Sequence, residues 1–398
     1  MELEILHALR DPAGVPFYPV VFQGLYILTW ALHALFVFLS LGAMGASLCI
    51  GIKHKNDGEN WQTLRAHLIQ VGKISVSLLI VLGVAPLLFV QVIYDPNWYT
   101  INTLSGVWIV AFIYSLLVAY IMFYWYYFAN KKTGSSGNVI GTISFVLLIA
   151  CALMMHVFSV EGIQPEMWKE WYAPNGVVDT SGTNFHTEPL RYIFLMLLAV
   201  PAVGLFLQNY GDFIKTGSHY DGSLSALAKE KGAKVTNIGL ILSLVAFFVW
   251  ALSIGKMFDI FSIVIYALFG AVILLSQRTK NSYISSIAFF VLLLAISGFR
   301  EYLRYKIMFN LGYDVYAYPV DLEWPSIIMF LLTFLSLGGV GVSFLATLAW
   351  KVGKGGGYFD ASKDKTVSRL ASATVWILVI WCVVYFIWGF FYLFKNTL

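Results

Sequence analysis

Apolar residues run along this chain in long blocks, separated by shorter polar stretches. Ten blocks can cross the hydrocarbon of a bilayer, which takes about 20 helical residues. They are expected at about Trp30–Ile52, His67–Ile93, Leu104–Phe128, Val139–Val160, Leu190–Tyr210, Val235–Ile254, Phe258–Ser276, Ile284–Phe299, Ser326–Trp350 and Leu370–Leu393, the seventh and eighth being short. The blocks are continuous rather than alternating, which argues against a membrane barrel. In lipid that leaves helices, which satisfy their own backbone. The pattern predicts an all-α polytopic membrane protein of about ten transmembrane helices.

Two polar, aromatic loops stand out. EGIQPEMWKEWYAPNGVVDTSGTNFHTEP follows the fourth span, and REYLRYKIMFNLGYDVYAYPVDLEWP follows the eighth. Residues 1–27, with Pro12, Pro16 and Pro19, are expected as an outer surface segment. The remainder is expected as two helical halves, 28–211 with spans one to five and 212–398 with spans six to ten.

Composition agrees with this pattern. The 398 residues are 59% hydrophobic and 12% charged, with a mean hydropathy of +0.77. A soluble domain is about a quarter charged. The net charge of +4 says little about partners, and no stretch reads as a nucleic-acid patch. The first residues, MELEILHALRDPAG, lack the basic start of a cleavable signal, so the first helix is expected to be retained. Cys49, Cys151 and Cys382 lie in different apolar blocks, and neither CxxCH nor CxxC occurs. Covalent c-type haem is excluded, and zinc or iron–sulfur sites are not expected.

Orientation follows from the basic residues, which favour the cytoplasmic side. Ten spans put both termini on one side. The loops joining spans one to two, three to four, five to six, seven to eight and nine to ten hold 16 Lys and Arg, against 8 on the other side. Both termini and both aromatic loops are therefore expected outside. A bacterial or archaeal cytoplasmic membrane is the expected location.

Leu28–Lys53 has an echo in Pro325–Lys351. Phe38-Leu-Ser-Leu-Gly-Ala-Met-Gly-Ala-Ser-Leu aligns without gaps on Phe334-Leu-Ser-Leu-Gly-Gly-Val-Gly-Val-Ser-Phe, and His33 then falls on Met329. Spans one and nine run in the same direction, as a parallel internal repeat would. The competing reading is that Gly42, Gly45, Gly338 and Gly341 are ordinary close-packing positions.

Ionisable groups inside a membrane are costly and are functional hypotheses by default. His33 lies about one turn inside Trp30, Met329 about one turn inside Trp324, and His156 near the outer end of span four. His186 closes the first aromatic loop, with Arg191 about one turn further on. Histidine and methionine both ligate haem iron, so His33, His156, His186 and Met329 are the candidate ligands. Each also has a plain structural reading, as a hydrogen-bonded histidine or a core methionine, and His156 has a further one as a quinol contact. Arg300 and Arg304 share a helix face. With Arg191 they suit haem propionates or a quinone head group. His33, His156, His186, Met329 and Arg300 converge on one layer near the outer face.

Span one, with His33-Ala-Leu-Phe-Val-Phe-Leu-Ser-Leu-Gly, resembles the first helix of cytochrome bd quinol oxidase subunit I. Gly83-Val-Ala-Pro through Asn97-Trp-Tyr resembles the end of that family's second helix, and His186 opening span five resembles its second haem-ligating histidine. The similarity covers roughly residues 20–210. It implies His33 and His186 as axial ligands, haem b, and quinol as substrate. The chain also departs from the family. Ser105–Phe128 lacks the family's two glutamates, Gly255-Lys-Met-Phe-Asp is too short for its quinol loop, and Leu337 stands where its ligand methionine would be.

The expected function is a membrane subunit with one or two b haems, oxidising quinol near the outer face. Electrons would pass to a c-type cytochrome or other redox subunit docked on the aromatic loops, and a second membrane subunit is the other candidate partner. The alternatives are a bd-type quinol oxidase that reduces oxygen, and a non-catalytic membrane anchor or transporter.

Overall fold

A computed structural model describes residues 10–133, 137–216, 222–279, 281–355 and 359–397. His7, His219 and Lys280 lie outside the described residues. Among the described residues, ten helices are long and apolar enough to cross a membrane. They are α1 (Pro19–Lys53), α2 (Glu59–Ile93), α3 (Gly106–Thr133), α4 (Asn138–Glu161) and α5 (Pro189–Lys215). Then come α6 (Gly222–Ser253), α7 (Ile260–Arg278), α8 (Ser282–Asn310), α9 (Trp324–Lys354) and α10 (Lys365–Thr397). No β-strand occurs among the described residues. The chain is an all-α polytopic membrane protein, as the hydropathy pattern predicts.

Several helices are longer than their apolar blocks. α1 starts at Pro19 rather than near Trp30, because proline at the first helical position needs no backbone donor. α8 runs on to Asn310, so REYLRYKIMFN is helix and not loop. Polar helical ends are favourable once they leave the hydrocarbon, so hydropathy marks the membrane-embedded part only.

The chain divides into two compact units. The first holds Met1–Asp212 and Gly222–Pro319, and therefore most of α1–α8. The second holds Phe213–Asp221 and Val320–Leu398, with α9 and α10. This is a different partition from a cut after the fifth span.

In the first unit α1 packs against α2, α4 and α8. Its residues Phe38, Leu41, Met44 and Leu48 join the main core. A side chain at Gly42 would meet the backbone carbonyl of Ala199. Only glycine lets α1 come that close to α5, where α5 breaks between Leu197 and Ala199.

At one end of this unit the polar segments knit together. Asp95 accepts from the backbone N–H of Asp11 (2.9 Å) and from Tyr318. Arg10 lies between the rings of Tyr313 and Tyr318. Asn184 donates to the Leu104 carbonyl (3.1 Å). The residues between α4 and α5 and those after α8 thus lie at the same end as the helix Asp95–Leu104.

The second unit is a hairpin. No residue of the spanning windows of α9 and α10 is buried, so their apolar side chains face outward as lipid-facing residues do. Trp381 donates from Nε1 to Thr333 Oγ1 (2.6 Å), tying α10 to α9. Thr333–Gly341 is π-helical, a rare form. The echoed stretch of α1 is an ordinary α-helix. Gly338 has open space around it, unlike its counterpart Gly42. The echo in sequence thus carries different backbone geometry in the two places.

Candidate functional site

The loop end of the first unit encloses a cavity of about 570 Å³, within the 300–1,000 Å³ range of cofactor and ligand sites. Its walls come from α1, α2, α3, α4, α5 and α8, and most of them are apolar. Five of the seven candidate residues line it: His33, His156, Arg191, Arg300 and Arg304.

The cavity lies beside a proline-containing stretch of α2. Pro86 lies inside that helix and removes one intrahelical hydrogen bond. Gly83 sits one turn earlier, and both line the cavity. The imidazole of His33 lies over Gly83: a Cβ there would be 2.9 Å from His33 Cε1 and Nδ1. His33 Nδ1 lies 2.8 Å from the Leu79 carbonyl. A carbonyl can only accept, so Nδ1 carries the proton and Nε2 keeps its lone pair. Metal-ligating histidines are commonly oriented this way, with the far nitrogen donating to a backbone carbonyl. Replacing Gly83 with valine should push the ring off Leu79, a change visible as loss of whatever His33 binds. Equal ligand binding by wild type and Gly83→Val would contradict this role.

His156 is 5% exposed. Its Nε2 accepts the backbone N–H of Glu188 (3.1 Å), and its Nδ1 is buried without a hydrogen-bond partner.

The arginines gather around Ser159. Arg191 donates to its hydroxyl at 2.7 Å and Arg300 at 3.5 Å. Arg191 pairs with Glu188 at 3.7 Å. Arg304 pairs with Glu301 at 3.2 Å and donates to Tyr26 Oη at 2.9 Å. Arg300 lies over the Trp30 ring, 4.1 Å from its centroid, and its Nε and Nη1 have no hydrogen-bond partner. Two guanidinium groups converging in an apolar wall suit an anionic group, since buried charges are costly unless compensated.

The other two candidates lie elsewhere. His186 is outside the cavity lining. It stacks on Trp171 (ring centroids 4.0 Å apart), and its Nδ1 faces Glu161 Oε1 at 3.1 Å. This bond and this stack are what the polar loop dictates; they do not bring the ring to His33. Met329 belongs to α9 in the second unit, whereas every lining residue belongs to the first.

Sequence reasoning missed Glu301, Tyr94 and Glu161. Glu301 is 4% exposed and accepts from Tyr94 Oη (2.8 Å) and Gln23 (3.0 Å). Burial and then the Glu301 carboxylate push the Tyr94 phenol well above its usual range, so it stays a donor. Glu161, fully buried, accepts from Ser105 Oγ (2.5 Å) and the His186 backbone N–H (3.2 Å). Its neighbours Gly162 and Ile163 line the cavity. The signal for Glu301 was present in REYLR, where it sits between the two arginines on a helix that does not end.

Two lining residues are also exposed on the outside of spanning helices. Val84 on α2 is 52% exposed and Ile113 on α3 is 57% exposed. Both lie in spanning helices, so this part of the cavity wall faces the hydrocarbon of a membrane.

No family model matches the chain, and no curated protein matches it.

Proposed function

We propose that the chain is a haem-b-containing membrane subunit of a respiratory complex that oxidises quinol near the outer face and passes electrons to a partner cytochrome. The observation that carries this is the apolar cavity that gathers His33 and the arginines of α5 and α8. In sequence the reading is supported by the resemblance of span one to cytochrome bd quinol oxidase subunit I.

The residues present fit haem b. His33, oriented by Leu79, would be an axial ligand. Arg191 and Arg300 would hold its carboxylates, with Arg304 alongside. Haem b supplies a one-electron iron centre when bound. The apolar walls exclude water, and His33 keeps its lone pair because its other nitrogen is committed to a backbone carbonyl. The edge between Val84 and Ile113 would give a lipid-soluble quinol a route from the membrane. The aromatic loops at the same end would receive the partner cytochrome, and a bacterial or archaeal cytoplasmic membrane would be the setting.

The test is anaerobic addition of decylubiquinol to the purified chain. Reduction of a b-type haem, seen by its absorption bands, is the expected result. A haem that stays oxidised at any quinol concentration would contradict quinol oxidation.

A further inference from the structure

We infer that His156 is a fixed hydrogen-bond donor to a ring oxygen of the quinol, and not an iron ligand. This rests on the quinol-oxidising reading and names the contact that would hold the substrate.

The nitrogen nearest Glu188 is already engaged. Nε2 accepts the Glu188 backbone N–H at 3.1 Å, and a nitrogen that accepts carries no proton. A neutral imidazole has one proton, which is therefore on Nδ1. That Nδ1 is buried and has no hydrogen-bond partner, on a ring that is 5% exposed and lines the cavity. A buried donor left unpaired is unfavourable. An acceptor oxygen on the ligand removes that cost. Iron needs a lone pair, and Nδ1–H offers none.

The tautomer is anchored. Glu188 precedes Pro189 at the start of α5, where the first helical N–H groups lack intrahelical partners. Turning His156 to present Nε2 to the cavity would strand the Glu188 N–H. Glu188 itself is held on two sides. Its Oε1 accepts from Trp250 Nε1 at 2.6 Å, and its Oε2 pairs with Arg191 at 3.7 Å. The imidazole also lies against Tyr192, with ring centroids 5.4 Å apart.

The two histidines are thus complementary. His33 keeps an unprotonated nitrogen and His156 an unpaired N–H, on rings that both line the cavity. Ser159, with Arg191 and Arg300 on its hydroxyl, is one turn beyond His156 on α4, which adds further donors on the same side. A quinone ring oxygen and a haem carboxylate are both acceptors of this kind, and the experiment separates them.

The full chain is purified as wild type, His156→Leu and His156→Gln. Haem per chain, the ferric absorption spectrum and the affinity for decylubiquinone by equilibrium dialysis are measured for each. Haem content and spectrum are expected to be the same in all three. Decylubiquinone binding is expected to weaken about tenfold in His156→Leu, the worth of one buried hydrogen bond. His156→Gln, which keeps an N–H donor, should recover much of it. Loss of haem or an altered ligand-field spectrum in His156→Leu would overturn the inference, as would unchanged quinone affinity. Haem-free wild type with the same His156 dependence would refute the haem assignment and support this contact. Wild type that binds no quinone would refute both the quinol reading and the contact.

Discussion

His33→Ala should yield a folded chain that retains almost no haem. His33 is the only cavity-lining residue that presents an imidazole lone pair, its Nδ1 being tied to the Leu79 carbonyl at 2.8 Å. Losing a group that merely orients a ligand histidine costs 10- to 100-fold in metal affinity, so losing the ligand itself should cost at least that much. The fold should survive, because the wall around His33 is built from other side chains, such as Ala34, Phe38 and Leu79. Imidazole in the buffer should refill the vacated space and restore part of the haem. Full haem retention in His33→Ala, measured as haem per chain, would move the ligand to another residue.

The second large effect is expected at Glu161, and it is one of stability. Its carboxylate is fully buried and serves Ser105 at the start of α3, and both the backbone and the ring of His186. Glu161→Ala would leave the His186 backbone N–H without its acceptor, while the Ser105 hydroxyl would keep only the Asn184 carbonyl (2.8 Å). A stranded buried group costs about 1–3 kcal/mol, so a loss of about 1–3 kcal/mol is expected. The consequence should be local first. Trp168, which donates to the Glu161 carbonyl at 2.9 Å, belongs to the same loop. Limited proteolysis should cut within residues 163–188 in the variant at protease levels that spare the wild type, and thermal unfolding in detergent should begin earlier. Glu161→Gln, which keeps an acceptor oxygen, should fall between the two. Identical cleavage and melting of Glu161→Ala and wild type would contradict the structural role.

The ten-helix architecture was legible because lipid permits few alternatives. Long apolar blocks without alternation leave helices alone, and all ten expected blocks lie on helices. Helix ends were less legible. The α8 extension beyond Phe299 is charged and aromatic, and hydropathy cannot distinguish a polar helix leaving the membrane from a loop. Much of the candidate site was legible as well. His33, His156 and Arg300 were placed in one layer by counting turns, Arg191 and Arg304 were named as anion partners, and all five line one cavity.

What depth could not supply was direction around each helix and the partners of each ring. His186 shares the depth of His33, but its ring is committed to Glu161 and Trp171. Met329 was chosen by an alignment between α1 and α9, and those two segments differ in backbone form. Glu301 was passed over because the sequence offers no sign that Tyr94 and Gln23 converge on it from residues about 200 and 280 positions away. The tautomers of His33 and His156 depend on Leu79 and Glu188, which are contacts between helices and have no signature in composition or spacing.

The central claim is that this chain holds haem b in the cavity between α1 and α4. The most direct measurement is a pyridine haemochrome spectrum of the full chain, purified from membranes of a haem-replete host, with haem counted per polypeptide. The account predicts a b-type spectrum at about one haem or more per chain, abolished in His33→Ala. A purified, folded chain with no haem b would contradict it.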